Sequence, residues 1–212
     1  MSDVILYDYW RSSASYRVRI ALNLADVAYQ SQQVNLVAQE HKTPEHLTRN
    51  PQGLVPALFI DGHLLTQSLA IIEYISETRG PKFLPENAID RARVRALSHA
   101  IAMDIHPVCN LSVVNHAAAL TATPEETTKA WMQKFVGRGL ASLEVMLEQT
   151  LGPLCFGEAV TLADICLVPQ VYNAKRWDVD LANMPRIRAI VSLLEANPAF
   201  ANAHPDRAKP AA

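Results

Sequence analysis

Three serines are clustered where an apolar, strand-like segment gives way to a helix. Ser12, Ser13 and Ser15 follow the strand-like residues 4–9 and precede a run of apolar residues at helical spacing. Serine hydroxyls at the cap and first turn of a helix can satisfy free backbone N–H groups, or they can point at a ligand. Because a helix N-terminus carries about half a positive charge and free donors, it favours an anion. The cluster therefore predicts either a well-capped helix or an anion-binding site.

A second serine stands in a similar position, because Gln67 and Ser68 precede a helical pattern over residues 68–77, with the serine expected as its cap. Between the two serine sites, Pro56 stands at the entry to an apolar, strand-like run. Proline cannot donate to a sheet, so it fits the first strand position, where its bond to Val55 can be cis and the Val55 backbone can face an extended peptide. The alternative is an ordinary loop proline. Taken together, the pattern predicts a small extended ligand with a carboxylate and a thiol or second anion.

The composition describes a globular chain with a full core. Half of its 212 residues are hydrophobic and 19% are charged, and this length suits one large domain or two small ones. The formal net charge of −2 indicates neither a nucleic acid nor a membrane surface as partner, and no apolar run approaches the ~20 residues of a membrane span. Met1-Ser2-Asp3 does not resemble the start of a signal peptide, and the three cysteines have no metal-ligand spacing. We expect a cytoplasmic protein without disulfides or a metal.

The first eighty residues alternate between strand and helix patterns. Strand patterns lie at 4–9, 29–36, 54–60 and 63–65, and a turn-rich stretch lies at 43–50. Asp61-Gly62 predicts a tight hairpin between the last two strands. With helices at 17–24 and 68–77, the order is β-α-β followed by β-β-α. Gly80-Pro81 and Pro85 then mark a linker.

Everything after Asn87 has helical patterns. One apolar stripe contains Val94, Leu97, Ile101 and Ile105, and another contains Val136, Leu140, Leu143, Leu147 and Leu151. Thr161 and Asp164 have capping-box spacing at the start of a further helix. A last helix begins at Pro185 and stops before Asn197-Pro198, and we expect the tail from His204 to be loose. The chain therefore divides into an α/β domain, residues 1–80, and an all-helical domain, residues 87–212.

Three segments of the chain resemble the zeta class of glutathione transferases, which includes maleylacetoacetate isomerase. They are Ser12–Leu22 (SSASYRVRIAL), Gln67–Tyr74 (QSLAIIEY) and Thr161–Val171 (TLADICLVPQV). The first and third are specific to the class, and the second is shared more widely. The resemblance extends from Leu6 to about Pro198. It implies a thioredoxin-like N-terminal domain that binds glutathione, an all-α C-terminal domain with the substrate pocket, and a homodimer.

The resemblance assigns glutathione to residues of the α/β domain. Ser12 matches the serine whose hydroxyl hydrogen-bonds the glutathione sulfur, and Ser13 falls in the same loop. Val55 would pair with the cysteinyl part through its backbone. Gln67 and Ser68 would hold the γ-glutamyl carboxylate and amine.

Further residues follow from the same resemblance. His41 matches a contact to the glycyl end, and His106 and Asn110 match contributions from the helical domain. Arg176 matches an arginine of the substrate pocket, with a helix C-terminal cap as its alternative role. Arg11 is a second candidate for the substrate carboxylates, and a surface ion pair is its alternative.

Two residues depart from the class pattern. Ala14 stands where the class usually has cysteine, so no protein thiol is available at that position. Tyr16 stands where the class usually has tryptophan. Catalysis by the sulfur of bound glutathione does not require the missing cysteine. Cys166, within an apolar helix, is expected to be a buried structural cysteine, and Cys109 has no basic neighbour to lower its thiol pKa.

The resemblance implies a glutathione-dependent cis–trans isomerase. The thiolate of glutathione would add reversibly to the double bond of a maleyl keto acid, maleylacetoacetate, and give the fumaryl isomer in the catabolism of aromatic compounds. Maleylpyruvate as substrate, or dehalogenation of small α-halo acids, would use the same thiolate. A non-catalytic binding protein on this fold is disfavoured, because Ser12, Val55-Pro56 and Gln67-Ser68 are all present.

Overall fold

The computed structural model describes residues 3–210, which form two compact units. Residues 3–83 and 196–210 belong to the first unit, and residues 84–195 form the second. The first junction lies between Phe83 and Leu84, within the residues 80–87 that were expected to form a linker. Residues 196–210 lie with the first unit, whereas they were expected to belong to the helical domain.

The first unit is built on a four-stranded sheet with the order β2-β1-β3-β4. Its strands are β1 (Ile5–Asp8), β2 (Gln30–Gln33), β3 (Ala57–Ile60) and β4 (His63–Thr66). Strands β1 and β2 are parallel, and the other two pairs are antiparallel. The helices are α1 (Ser13–Leu24), α2 (Pro44–Arg49) and α3 (Ser68–Thr78), with a 3-10 turn at Glu40–Lys42. The β-α-β and β-β-α order predicted from the sequence is confirmed.

The connections of this unit follow from local chemistry. Helix α1 links the parallel strands β1 and β2, which need a crossover connection of this kind. Asp61 and Gly62 both have positive φ angles, 53° and 79°, as a two-residue hairpin turn requires. Leu6 and Leu58 on adjacent strands are fully buried together with the helix residue Ile71. Their burial forms the core that fixes the sheet against its helices.

One predicted turn is a helix in the structure. The stretch 43–50 contains α2 because the Thr43 hydroxyl accepts a hydrogen bond from the His46 N–H at 3.3 Å, and Pro44 occupies the first helical position. The strand predicted over 29–36 is shorter, since β2 covers only Gln30–Gln33.

The second unit is helical. Its helices are α4 (Ala88–His99), α5 (Leu111–Ala119), α6 (Pro124–Glu148), α7 (Leu162–Arg176) and α8 (Pro185–Glu195), and a π-helical segment at Ala100–Ile105 continues α4. Both predicted apolar stripes are buried except for Leu151, which is 88% exposed because α6 ends at Glu148. No helix within residues 3–210 has the length and apolar character needed to span a membrane.

Two buried carboxylates organise the helix starts of this unit. Asp164 accepts hydrogen bonds from the N–H and hydroxyl of Thr161, at 2.8 and 2.7 Å, and from the N–H of Cys155 at 2.9 Å. The predicted capping role of Asp164 is confirmed, and burial raises the pKa of its carboxyl above the ordinary value. Glu144 on α6 likewise accepts from the N–H groups of Arg186 and Ile187, at 2.7 and 2.8 Å, and caps α8.

The segment after Asn197 packs against α1, and the tail from His204, which was predicted to be loose, is helical over Pro205–Ala208 and places the His204 ring 6.0 Å from the Tyr16 ring. Helices α9 (Pro198–Ala203) and α10 (Pro205–Ala208) follow the Asn197-Pro198 break. Asn23 of α1 donates its side-chain amide to the Ala199 carbonyl at 2.9 Å, and the Tyr16 hydroxyl donates to the Phe200 carbonyl at 3.4 Å. Side chains of α1 thus satisfy carbonyl groups of α9, which a local sequence pattern does not reveal.

Two glycines of α6 give a matched test of the packing beside the π-helical segment. A methyl group at Gly139 would collide with the buried side chain of Ile105, whereas at Gly137 its nearest neighbour is Val179 Cγ1 at 3.5 Å. We expect Gly139→Ala to destabilise the protein by about 1–3 kcal/mol through overpacking. Gly137→Ala should be neutral or stabilising by up to about 1 kcal/mol through helix propensity.

Thermal and denaturant unfolding of the two variants checks this prediction. Equal stability changes for both variants would show that Ile105 can move aside without cost.

Candidate active site

Ser12 is the N-cap of α1. Its Oγ accepts a hydrogen bond from the Ser15 N–H at 3.3 Å, and its own N–H donates to the Tyr9 carbonyl at 2.8 Å. A hydroxyl has one hydrogen to donate and two acceptor lone pairs. Because the cap uses a lone pair, the Ser12 O–H hydrogen can be directed at a ligand while the helix remains capped. The two interpretations of the serine cluster are therefore compatible in one side chain.

The prediction that Ser68 caps α3 is wrong. Gln67, not Ser68, is the N-cap; it has a positive φ of 68° and makes no side-chain capping bond. Its amide instead donates to Gln52 Oε1 at 2.7 Å. Ser68 is the first helical residue, and its hydroxyl accepts from Arg17 Nη1 at 3.3 Å. Gln67 is the cap because the chain turns into α3 at this residue, whose φ is positive, and Ser68 already lies within the helix.

Arg17 links helix α1 to the serine at the start of α3. It lies on α1, five positions after Ser12, is almost fully buried, and reaches the hydroxyl of Ser68 on α3. Neither α1 nor α3 has an acidic residue in its first turn. A buried cation near α3, together with two helix N-termini free of carboxylates, favours anionic groups at both serines. Arg17 was not predicted as a site residue, because its contact with Ser68 forms only when α1 is packed on α3.

The bond between Val55 and Pro56 is cis, which confirms the more specific of the two expectations for this proline. The preceding Leu54 carbonyl accepts hydrogen bonds from His46 Nε2 at 2.9 Å and from the Asn50 amide at 3.0 Å. Within residues 3–210, no hydrogen-bond partner is recorded for the backbone N–H or C=O of Val55. Helix α2 and Asn50 therefore hold the loop in place, and the Val55 backbone can pair with an extended ligand.

His41 and Lys42 lie in the 3-10 turn before α2. The Nδ1 atom of His41 is buried and has no hydrogen-bond partner among the described residues. Burial lowers the pKa of His41 below 6.5, and the charges of Lys42 and His46 lower it further. A Cβ added at Gly53 would stand 3.0 Å from the His41 carbonyl oxygen and 3.0 Å from Lys42 Nζ. The turn thus presents a neutral imidazole and an ammonium group beside the Gly53 loop, and Lys42 was missed by the sequence analysis.

His106 and Asn110, two of the predicted site residues, belong to the second unit. His106 follows the π-helical segment, and its N–H donates to the Ile101 carbonyl at 2.9 Å. Asn110 caps α5 by accepting from the Ser112 N–H at 3.2 Å. The indole of Trp131 donates to the Val108 carbonyl at 3.0 Å and so ties this turn to α6. Asn110 therefore has a structural role as the N-cap of α5, in addition to its predicted role in binding.

The two predicted arginines for substrate have different surroundings. Arg11, in the first unit, donates to the Tyr9 hydroxyl at 3.4 Å, and its guanidinium carbon lies 5.3 Å from the Trp10 ring centroid. Arg176, in the second unit, is the last residue of α7; its Nη1 lies 3.5 Å from Asn173 Oδ1. Both side chains are held by neighbours on their own unit.

The features of the first unit fit a short peptide that carries carboxylates and a thiol. Two helix N-termini can receive anions, the Val55 backbone can pair with a peptide backbone, and the buried His41 Nδ1 has an unused hydrogen-bonding capacity. Glutathione has this set of groups.

The fold and these features define a glutathione transferase. Residues 2–77 match the family described as Glutathione S-transferase, N-terminal domain. The chain is 61% identical to maleylacetoacetate isomerase of Rhizobium meliloti (strain 1021) over 211 residues, 99% of each chain. It is similar to the holo structure of a bacterial zeta-class maleyl pyruvate isomerase, with 39% identity, a TM-score of 0.93, and coverage of 97% of this chain and 98% of that one.

A second solved structure has ligands bound. Maleylacetoacetate isomerase from Methylobacterium extorquens AM1, with bound malonate and GSH, is 40% identical, with a TM-score of 0.93 and the same coverage of 97% and 98%. The chain therefore belongs to the glutathione transferase family, in the zeta class that contains the maleylacetoacetate isomerases. The resemblance and the glutathione transferase fold inferred from the sequence are both confirmed.

The three cysteines of the chain are unsuited to be nucleophiles. Burial raises the pKa of the Cys109 thiol to about 11, and burial beside Asp164 raises the pKa of Cys155 well above its ordinary value. Cys166 is fully buried in α7, as expected. With Ala14 in the serine loop, a reactive thiol must come from a ligand.

We therefore expect the protein to stay active after treatment with a thiol reagent that is removed before glutathione is added. Because the Cys109 pKa is about two units above its ordinary value, its thiolate fraction at neutral pH is roughly a hundredfold lower, and it rises with pH up to about 11. Mass spectrometry after timed alkylation at several pH values measures this. Rapid alkylation of Cys109 at neutral pH, or loss of activity in Cys109→Ser, would contradict it.

Proposed function

We propose that this glutathione-dependent cis–trans isomerase acts on maleylacetoacetate and releases its fumaryl isomer. The observation that carries the proposal is the Ser12 hydroxyl at the N-terminus of α1, in a chain 61% identical to a maleylacetoacetate isomerase. The hydroxyl caps the helix as an acceptor, so it can donate its hydrogen to sulfur. We further propose that the enzyme works as a cytoplasmic homodimer in the catabolism of aromatic compounds.

We assign each part of glutathione to residues of the first unit whose charge or hydrogen-bonding groups complement it. Gln67 and Ser68 at the start of α3 would take the γ-glutamyl group, and the Val55 backbone would pair with the cysteinyl residue. His41 and the nearby Lys42 would face the glycyl carboxylate, since an ammonium and a neutral imidazole can both donate to it. Ser13 and, from the second unit, His106 and Asn110 complete the proposed set.

When bound, glutathione supplies the sulfur nucleophile that adds to the substrate double bond and leaves it again after rotation. The chain's part is to keep that sulfur ionised at neutral pH, where a free thiol with a pKa of about 8.5 is mostly protonated. The Ser12 hydroxyl donates to the anion, and the N-terminus of α1 adds favourable electrostatic potential. Ser12 itself stays protonated throughout and is not the nucleophile.

The substrate carries two carboxylates, and cations are needed to bind them and to stabilise the negative charge that develops during the reaction. We propose Arg176 and Arg11 for this role. Support comes from a relative, because the Methylobacterium extorquens AM1 isomerase was crystallised with the dicarboxylate malonate alongside GSH. A guanidinium can bind a carboxylate with two parallel hydrogen bonds, which also orients it.

Maleylpyruvate is the second candidate substrate. The observation that favours it is the close similarity to the zeta-class maleyl pyruvate isomerase, with a TM-score of 0.93. Both substrates present a maleyl double bond between a carboxylate and a carbonyl group, and both would use the same sulfur chemistry. They differ at the end of the molecule distant from the double bond.

The substrate assignment is tested by the rate of absorbance loss for each maleyl compound with and without glutathione. We expect glutathione-dependent turnover of both, with the higher kcat/KM for maleylacetoacetate, and the fumaryl isomer as product by chromatography. A higher kcat/KM for maleylpyruvate would move the assignment to the second candidate. Absence of turnover with either substrate would overturn the isomerase proposal.

Ser12→Ala tests the proposed role of the hydroxyl. A hydrogen bond to a charged group contributes about 1.5–3 kcal/mol, so its loss should raise the pKa of the bound thiol by roughly one to two units. We expect kcat/KM at neutral pH to fall about 10–100-fold and to recover partly as the pH rises toward the new pKa. The pH dependence of kcat/KM and the ultraviolet absorbance of the bound thiolate provide the measurements.

Ser12→Ala also removes a helix cap, which costs about 1 kcal/mol of stability. Asn87→Ala is the matched control, because Asn87 caps α4 by accepting from the Ile89 N–H at 2.9 Å and has no proposed part in catalysis. It should reduce stability to a similar degree and leave the pH profile unchanged. An unshifted profile in Ser12→Ala would refute the role of the hydroxyl.

A further inference from the structure

Arg19 is a buried arginine at the centre of four hydrogen bonds. It is 2% exposed, and its Nη1 donates to both carboxylate oxygens of Asp8 at 2.8 Å each. Its Nε donates to the Ala203 carbonyl at 2.9 Å, and its Nη2 donates to the Trp10 carbonyl at 2.9 Å. One guanidinium therefore joins the end of β1, the loop that follows it, and the C-terminal helix α9.

The Trp10 carbonyl lies two residues before Ser12, in the turn that leads into α1. On its other side, the Trp10 N–H donates to Gln33 Oε1 of β2 at 3.2 Å. The turn is closed by the Ser12 N–H, which donates to the Tyr9 carbonyl at 2.8 Å. Arg19 thus binds the peptide group that follows Trp10, and Gln33 binds the one that precedes it. The position of the Ser12 backbone depends on where these two groups hold Trp10.

The guanidinium is itself held from two directions. Asp8 is fully buried and neutralises its charge, and the Ala203 carbonyl fixes its orientation from α9. The aromatic ring of Tyr16 lies 5.4 Å from the guanidinium carbon. Because a guanidinium is planar and its donors have fixed directions, three acceptors placed around it determine its position closely.

We propose that Arg19 is a positioning residue for Ser12, and that the C-terminal helix α9 is part of this arrangement through the Ala203 carbonyl. The inference rests on the proposed function, in which the Ser12 hydroxyl donates to the sulfur of glutathione. The strength of that hydrogen bond depends on distance and angle, so a small displacement of the loop weakens it. Arg19 affects the reaction only through the location of Ser12.

Arg19→Lys is the principal variant. A lysine keeps the positive charge opposite Asp8, and its single ammonium cannot reproduce the fork that joins Trp10 and Ala203. We expect the pKa of the bound glutathione thiol to rise by about one unit, which lowers kcat at neutral pH roughly tenfold and lets it recover at higher pH. KM for glutathione should stay close to the wild-type value, because Gln67, Ser68 and Val55 are untouched.

Asn23→Ala is the matched control. Asn23 also ties α1 to α9, through the Ala199 carbonyl at 2.9 Å, and it has no hydrogen bond to the serine loop. It should lower the melting temperature while the thiol pKa remains that of the wild type. If α9 acts only by stabilising the fold, Arg19→Lys and Asn23→Ala will both leave the thiol pKa unchanged, and the proposal is overturned.

A second variant removes both buried charges together. A single substitution at either position would leave an unpaired buried charge, which is strongly destabilising. The double variant Asp8→Asn with Arg19→Met leaves none. It should show the same rise in thiol pKa, measured by ultraviolet titration of the glutathione-saturated protein below its melting temperature. If neither this double variant nor Arg19→Lys folds, Arg19 is a folding element and the proposal is also overturned.

Ser12→Ala distinguishes this inference from the proposed function. If Ser12→Ala raises the thiol pKa and the Arg19 variants do not, the function stands and the positioning role of Arg19 is refuted. If Ser12→Ala itself has no effect on the thiol pKa, the proposed role of Ser12 fails first, and the Arg19 inference fails with it.

Discussion

The hydrogen bond from the Ser15 N–H to Ser12 Oγ is the interaction on which the candidate site depends. A helix must have its first N–H groups satisfied, and the proposed chemistry needs a hydroxyl at the point where the helix potential is most positive. Serine meets both needs because it accepts through a lone pair and donates through its hydrogen. The place where α1 begins is therefore also the place where a sulfur anion is stabilised, and the remaining structure has to hold that one residue in position.

Polar groups inside the first unit hold Ser12 in position. Arg17 and Arg19 are both buried on α1, one directed at Ser68 and the other at Asp8, Trp10 and Ala203. Buried charges are costly unless they are paired and hydrogen-bonded, and the Asp8–Arg19 pair meets that condition with both carboxylate oxygens. An apolar replacement at position 19 would leave the buried Asp8 carboxylate without its partner, and it would remove the hydrogen bond to the loop that carries Ser12.

The local features of this arrangement could be predicted from the sequence, whereas the contacts between residues distant in the sequence could not. Helix α1, the Asp61-Gly62 hairpin and the Asp164 cap each depend on residues a few positions apart, and each was predicted. The cap of α3 was misassigned because a positive φ at Gln67 has no signature in a non-glycine residue. The docking of α9 was missed because its hydrogen bonds join residues 176 to 184 positions apart.

The two departures from the class pattern, Ala14 and Tyr16, have different physical consequences. Ala14 removes a side-chain thiol from the serine loop, and the pKa values of Cys109 and Cys155 are raised, so the ionised sulfur has to come from glutathione. Tyr16 replaces an indole with a phenol whose hydroxyl donates to the Phe200 carbonyl of α9. Ala14 leaves the sulfur chemistry to the ligand. Tyr16, which lies two residues after Ala14 and three before Arg19, adds a hydrogen bond between α1 and α9.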